Sequence, residues 1–238
     1  MSLAGKKKIA VLTGAGVSAE SGLATFRGNN GLWGKYDPDE VASIEGWYRN
    51  RRLVLNFYND LRRTLGEVKP NAAHYAIAAL EKEYSVTVIT QNVDNLHERA
   101  GSTKVLHLHG EATKVRPEDG IYDRTYSEEE VIDIGYDEVH FGDKAPNGSQ
   151  LRPHIVFFGE AVPNINKAID IVSAADIMLI VGTSLNVYPA AGLYRYAPNG
   201  IPIYLIDPED VAIADPRITQ IRQVATKGME TFRRMLGQ

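Results

Sequence analysis

Residues 8–28 read KIAVLTGAGVSAESGLATFRG. The apolar run 9–13 predicts a buried strand. Gly14-Ala15-Gly16-Val17-Ser18-Ala19 then spells G-x-G-x-x-[GA] and leads into a short helical pattern. This arrangement can turn backbone N–H groups and a helix start toward a pyrophosphate. Gly14 permits the tight turn, Gly16 permits close approach of the backbone to phosphates, and Ala19 is small enough for helix and strand to pack. Taken alone, the pattern suits a plain structural turn as well as a phosphate site.

The surrounding composition narrows the classes. The chain has 238 residues, 44% hydrophobic and 24% charged, with a net charge of −4. That length supports one large domain or a large and a small one with a substantial core. The weak negative charge points to neither nucleic acid nor an anionic membrane. No apolar run is long enough to span a membrane. Lys6-Lys7-Lys8 precedes an apolar run that is too short for a signal peptide and ends in a glycine turn, so the expected compartment is the cytoplasm. With no cysteine, disulfides, thiolate chemistry and cysteine-based zinc sites are excluded.

Short β-branched runs recur at 9–13, 86–90, 105–109, 154–158, 177–181 and 203–206. They do not alternate, which is the habit of strands buried on both faces of a parallel sheet. Helical stripes lie between them, at Ala73, Ala76, Ile77, Leu80 and Tyr84, and at Ala168, Ile171, Val172 and Ala175. Helices are also expected at 190–197 and 228–236. The alternation predicts an α/β fold with a doubly wound, Rossmann-like parallel sheet of about six strands. Two segments break the rhythm. Residues 35–68 carry a helical pattern around Trp47, Leu53, Leu55, Phe57, Leu61 and Leu65; residues 111–151 are polar and turn-rich. The expected organisation is a nucleotide-binding domain from 1–34, 69–110 and 152–238, with a smaller module inserted as 35–68 and 111–151.

Several expected strands end in polar residues. Gln91-Asn92-Val93-Asp94-Asn95-Leu96-His97 follows one, His107-Leu108-His109-Gly110 closes another, and Gly182-Thr183-Ser184-Leu185 follows a third. A polar turn explains any of them singly. Their convergence on the edge that carries the glycine turn favours a site. A hydride-transfer enzyme should close a second strand with an acidic residue about 20 residues past its glycines. Asp37 and Asp39 fall near that distance with no strand before them.

Together these motifs resemble the sirtuin family of NAD-dependent protein deacylases. The matching stretches are Gly14 to Gly22 with Thr25-Phe26-Arg27, Gln91-Asn92-Val93-Asp94 with His97, and Leu108-His109-Gly110. Arg152 to Glu160 and Gly182 to Ala190 complete the set. The resemblance implies NAD bound between a Rossmann-like domain and a small domain, and an acyl-lysine protein substrate lying as an extended peptide. It assigns His109 as the base for a ribose hydroxyl, Asn92 as the residue orienting ribose and water, and Asp94 as the carboxylate of the nicotinamide pocket. A neutral imidazole suits base work near pH 7. Gly14, Ala15, Gly16, Glu20, Gln91, Gly182, Thr183, Ser184 and Asp207 are implied on the dinucleotide path. Phe26 would shield the vacated nicotinamide site, and Arg27 would lie near the phosphates or a loop over NAD. Val156, Phe157, Phe158 and Gly159 match the segment that pairs with substrate main chain.

His107 competes for the base role, and the glycine directly after His109 selects the latter. His97 is expected to be structural, His74 exposed, His140 in a loop and His154 at a strand end. Three departures from the family pattern stand out. The four usual zinc cysteines are missing, so no zinc is expected; an apolar cluster of Ile121, Tyr122, Tyr126, Val131, Ile132, Ile134, Tyr136, Val139 and Phe141 would stabilise the module. A metal site from Asp137, His140 and Asp143 is the weaker alternative. Acid-preferring sirtuins carry Tyr and then Arg three residues on, whereas here Leu61 follows Tyr58 at that spacing and Arg62 lies one residue later; Tyr58 and Arg62 are the candidate acyl-binding pair. Asp207 stands where an Asn is common. The expected activity is deacylation, deacetylation first, with release of nicotinamide and O-acyl-ADP-ribose. Desuccinylation, protein ADP-ribosylation and NAD sensing without turnover are the alternatives. No nucleic-acid or membrane partner is expected, and the oligomeric state is left open.

Overall fold

The structure is a computed structural model and describes residues 5–23, 35–118, 128–213 and 215–237. Phe26 and Arg27 lie outside the described residues, as do Ile121, Tyr122 and Tyr126. The first strand, β1 (Lys8–Thr13), enters the glycine turn and a single helical turn, α1 (Gly16–Ala19). Three helices follow: α2 (Pro38–Val41), α3 (Ile44–Arg49) and the long α4 (Arg51–Glu67). The caps are local and legible. Asp37, Ser43 and Asn50 each accept a backbone N–H from the first turn of the helix they precede.

The chain then returns through α5 (Ala72–Ala79), β2 (Ser85–Thr90), α6 (Leu96–Arg99) and β3 (Val105–His107). It departs again as β4 (Gly110–Pro117), β5 (Ile132–Asp133) and β6 (Leu151–Ile155). The last stretch supplies α7 (Ile165–Ser173), β7 (Ile177–Val181), β8 (Ile203–Ile206), β9 (Ile218–Ile221) and α8 (Ala225–Met235), with a short 3-10 helix at Ala190–Tyr196.

Six strands form one parallel sheet in the order β3-β2-β1-β7-β8-β9. β1 lies between β2 and β7, in register Thr13 to Thr90 and Thr13 to Val181. The strand order reverses there, and such crevices take ligands at the carboxyl ends of the strands. Alternate residues feed opposite faces. Ala10, Leu12, Met178, Ile180 and Leu205 pack toward Ala168 and Val172 of α7. Ile9, Val11, Val88, Leu179 and Val181 pack toward Ile77 of α5 and Met229 and Phe232 of α8. Each fully buried side chain of this kind contributes about 1.5–3 kcal/mol, and burial on both faces explains the unbroken apolar runs.

One expected strand differs, and one unexpected strand takes its place. The run 154–158 does not join the parallel sheet: its first residues close β6, which pairs antiparallel with β4 in a three-stranded sheet, β5-β4-β6. The sixth parallel strand is instead β9, an edge strand whose Thr219 and Gln220 break the apolar pattern. A third apolar cluster joins α3 and α4 to the small sheet through Trp47, Val54, Phe57, Leu65, Val115, Ile155 and Phe157.

Among the described residues the expected apolar cluster forms in part: Ile132, Ile134 and Val139 pack into the third cluster. Val139 is buried, but Tyr136 and Phe141 are exposed. Polar side chains share the work, two from α4 and one from the segment itself. Asn59 pairs with both the N–H and the C=O of Val139 at 3.0 Å, in the manner of a strand. Arg62 is fully buried and donates to the carbonyls of Asp137 (2.9 Å) and Ala112 (3.0 Å) and to Asn59 Oδ1. Gln150 receives the Gly142 N–H and donates to the carbonyls of His140 and Leu151. Each such bond would be costly to leave half-made. Asp143 is occupied by the His140 N–H at 2.7 Å. Among the described residues no group of three His, Cys, Asp or Glu is placed to hold a metal ion.

Candidate active site

Two turns build the floor. Gly14 N–H donates to Val181 O at 3.0 Å and Gly16 N–H to Gly182 O at 2.9 Å, so the turn after β1 is stitched to the turn after β7. A Cβ on Gly16 would fall 2.6 Å from Gly182 Cα, and one on Gly182 would fall 2.3 Å from Val17 N. Gly182 also has φ +63°, a backbone conformation that favours glycine. Only residues without side chains allow this contact. The cradle fits a dinucleotide: its main chain is bare, Ala15 and Gly16 are half-buried, and the Thr183 hydroxyl stands beside it.

The end of β2 converges on the same place. Gln91 N–H donates to Thr13 O at 2.9 Å, and its amide donates to Thr183 Oγ1 at 3.1 Å, joining three strand ends. Asn92 is buried; its amide donates to Gly14 O and Ser18 Oγ, both at 3.2 Å, and its N–H donates to Thr90 Oγ1. Asp94 is buried as well. Its two oxygens accept from Ser18 Oγ (2.9 Å) and the Leu96 N–H (3.1 Å). Burial pushes the Asp94 carboxyl up from its ordinary pKa, against the pull of those hydrogen bonds and of His107.

His109 follows the end of β3. Its Nδ1 lies 3.0 Å from Gln91 O. A carbonyl only accepts, so Nδ1 carries the hydrogen and Nε2 keeps its lone pair. Burial lowers the His109 pKa, partly countered by that bond, and the ring is therefore neutral at pH 7. His107 lies one residue pair earlier, and both of its nitrogens are engaged, with Asn92 O and Glu98.

Beneath the floor sit two histidines. His97 Nε2 lies 3.0 Å from Thr13 Oγ1, and Thr13 donates to Thr90 at 2.8 Å. His74 is not exposed, contrary to expectation. It is fully buried, its Nδ1 accepts the Asn71 N–H in a capping box, and its Nε2 points to Ser18 at 3.4 Å. The two rings meet edge to face with centroids 4.9 Å apart. Burial lowers the pKa of His74 to about 4 and of His97 to about 3. Ser18, His74 and the Thr13–Thr90 pair escaped the sequence reading. A histidine on an otherwise ordinary helix carries no periodic signal; Ser18 lay within the glycine motif, and its inward direction was the missing fact.

Other expected residues are placed as follows. Ser184 is exposed in the turn after β7, and Asp207 ends β8, where its carboxylate accepts the Glu209 N–H at 3.0 Å. Glu20 holds its carboxylate at α8, on the N–H (2.9 Å) and hydroxyl (2.8 Å) of Thr226, rather than at the strand ends. Val156 N–H donates to His109 O at 3.0 Å. Phe158 exchanges backbone bonds with Ala42 and Ile44, so this segment ties the two sheets to α3. Glu160 braces the turn: it forms a forked pair with Arg152 at 2.7 and 2.9 Å and accepts the Phe157 N–H at 2.8 Å. Phe157 is buried, while Phe158 is about half exposed and Gly159 has φ +92°. Tyr58 is buried against Phe157, and Arg62 faces the module's carbonyls.

A family model described as the Sir2 family matches residues 14–189. The chain is 54% identical to an NAD-dependent protein deacylase of Bacteroides thetaiotaomicron, over 97% of this chain and 98% of that protein. It is 52% identical to one from Helicobacter pylori, over 85% of each. Among solved structures it is similar to a Sir2 homolog–NAD complex, with TM-score 0.79 and 36% identity over 99% of this chain and 91% of the other. A mutant Sir2 homologue–ADP ribose complex superposes with TM-score 0.85 and 35% identity over 99% and 95% of the two chains.

Proposed function

This chain belongs to the Sir2 family, and from that premise we propose a role for each residue of the cleft. The chain is an NAD-dependent protein deacylase, with NAD as its cofactor and acylated proteins as its substrates. The finer reading is removal of acetyl groups from lysine, with release of nicotinamide and O-acyl-ADP-ribose.

The observation that carries the assignment is the His109 ring, fixed by Gln91 O through Nδ1. Its Nε2 takes the proton of a ribose hydroxyl; a positioned base of this kind is worth about 10²–10⁴ in rate. Asn92, anchored by Gly14 O and Ser18, presents its amide oxygen to ribose or water. Asp94, positioned by Ser18 and the Leu96 N–H, serves the nicotinamide pocket. When bound, NAD supplies an electrophilic ribose carbon and a nicotinamide leaving group. Gly14, Ala15, Gly16, Gln91, Gly182, Thr183, Ser184 and Asp207 hold the dinucleotide, and the Glu20–Thr226 tie supports the first turn from outside. Phe26 and Arg27 keep the roles assigned from the sequence.

The extended peptide reading is supported by the Val156 to Gly159 segment, which is already strand-like beside Ser43 and braced by Glu160. Neutral acyl groups are favoured because Arg62 spends its guanidinium on carbonyls inside the module and Leu61 is apolar. The expected domain division stands as a proposal on the same grounds: the helices 35–68 and strands 111–151 share the third apolar cluster.

The test is incubation with NAD and acetyl-, succinyl- and fatty-acyl-lysine peptides, followed by mass spectrometry. Loss of acetyl with appearance of O-acetyl-ADP-ribose is the expected outcome. Preferential loss of succinyl would move the acyl assignment, ADP-ribose added to protein would indicate transferase activity, and saturable NAD binding without turnover would indicate a sensor. His109→Ala should lower kcat by about 10³ while NAD binding changes less than threefold. An active variant would remove His109 from the base role.

A further inference from the structure

His107 is buried and stands two residues before the base. Its Nδ1 lies 3.0 Å from the Asn92 carbonyl and its Nε2 lies 2.9 Å from Glu98 Oε1. A carbonyl oxygen and an ionised carboxylate only accept, so both bonds exist together only when both ring nitrogens carry hydrogen. His107 in this arrangement is an imidazolium, in contrast to the neutral ring of His109. Its own carbonyl accepts the Asn164 amide at 2.9 Å, which fixes the strand end from the side of α7.

The peptide that the cation grips is the one that matters. Asn92 is held at its N–H by Thr90 Oγ1, at its side chain by Gly14 and Ser18, and at its carbonyl by His107. We propose that His107 is a positioning residue for the deacylation, a protonated clamp held by Glu98 that keeps the Asn92–Asp94 turn in register with the strand end carrying His109. The proposal rests on the deacylase reading above, and it adds a residue that touches neither substrate nor NAD.

The charges around the ring are of both signs, and the nearest are acidic. Glu98 comes from α6, Glu111 and Lys114 from β4, His154 from β6, and Lys167 from α7 beside a cavity of about 150 Å³ that His107 lines. Asp94 and His97 also feel its charge. Burial opposes protonation, but the Glu98 bond and charge, the Glu111 charge and the Asn92 carbonyl outweigh it, and the His107 pKa is raised. A raised pKa keeps the clamp charged below it and releases the clamp as pH climbs through it. The base behaves oppositely: His109 must be neutral and works above its lowered pKa. The rate should therefore rise with pH on account of His109 and fall again at higher pH on account of His107.

The experiment is the pH dependence of kcat for the full chain with NAD and an acetyl-lysine peptide, in wild type, Glu98→Gln and His107→Gln. In Glu98→Gln the alkaline limb should move down by about one pH unit, with KM for NAD changed less than threefold. In His107→Gln that limb should vanish and kcat on the plateau should drop about tenfold. A variant that merely destabilises the fold would lower kcat at every pH and leave the limb in place, which overturns the proposal, as do limbs identical to wild type in both variants. Long-range proton–nitrogen NMR of the histidine rings reads the clamp without turnover. At pH 7 both His107 nitrogens should be protonated, and a single-tautomer spectrum at His107 overturns the proposal even if the acyl substrate is misassigned.

Discussion

Between Gly16 and Gly182 two main chains touch, and a Cβ on Gly182 would land 2.3 Å from Val17 N. Between α4 and the cysteine-free hairpin the chains stand a side chain apart, and Asn59 and Arg62 fill the gap with hydrogen bonds. The first region is held by what its residues lack and the second by what they carry. In the first, the two turns meet as bare backbone, so substitution is blocked by geometry. In the second, the requirement is only that carbonyls find donors. A metal with four thiolates is one way to tie a small module; a buried guanidinium and two amides are another.

That contrast can be broken most forcefully at the turn. Gly182→Ala places a methyl group into Gly16 and Val17 and forces an L-residue to φ +63°. It should cost about 4 kcal/mol or more and abolish NAD binding, read by thermal unfolding and calorimetry. A soluble variant with wild-type NAD affinity would show that the turns can part.

The floor of the same region should fail in acid. The unfolded histidines titrate near their ordinary 6.5, but His74 and His97 do so only near 4 and 3 in the fold. As pH falls below 6.5 the unfolded chain takes up protons first, so stability is full above that pH and drains away below it. Between pH 7 and pH 5 the pair should cost about 4 kcal/mol, a fall in Tm of about 10 °C for a chain this size. Replacing both with Asn should flatten that slope; an unchanged slope would place the acid lability elsewhere.

In the module, Arg62→Leu leaves the Asp137 and Ala112 carbonyls without a donor. A loss of about 3 kcal/mol is expected, with kcat on the acetyl peptide within threefold below the transition. EDTA should leave Tm unmoved, and a shift of several degrees would mean that a metal shares the work. The smallest effect has the opposite sign. Gly66, near the end of α4, has room for a Cβ, which would sit 3.5 Å from the Tyr136 ring. Gly66→Ala should stabilise by about 0.5–1 kcal/mol, visible as a small rise in Tm. The same exchange thus destroys one region and strengthens the other.

The two regions also differed in how much of them could be read in the sequence. Glycine is conspicuous wherever backbone must bend or touch, and polar residues after apolar runs mark strand ends, so Gly14, Gly182, Asn92 and His109 stood out. The buried run at 177–181 told its burial on both faces directly. The run at 154–158 misled because its apolar residues serve the third cluster rather than the parallel sheet, while β9 was hidden by Thr219 and Gln220 on an exposed edge. Asn59 and Gln150 look like solvent-facing residues until their direction is known, and Arg62, read as an acyl-pocket candidate, turns to the module's carbonyls instead. His74 reads as surface for the same reason, since a polar residue turned inward changes no period.

The position of β1 bears on how the protein comes off the ribosome. One flank of this strand finds its partner when residue 90 has been made, but the other waits for residue 181. For some 90 residues of synthesis this largely buried strand presents an open edge, and the first glycine turn has nothing to clasp. Closure depends on a contact distant in sequence, which slows folding and leaves the nascent half prone to mispairing. On the proposed assignment of these turns to NAD, cofactor affinity is acquired late, when Gly182 arrives opposite Gly16.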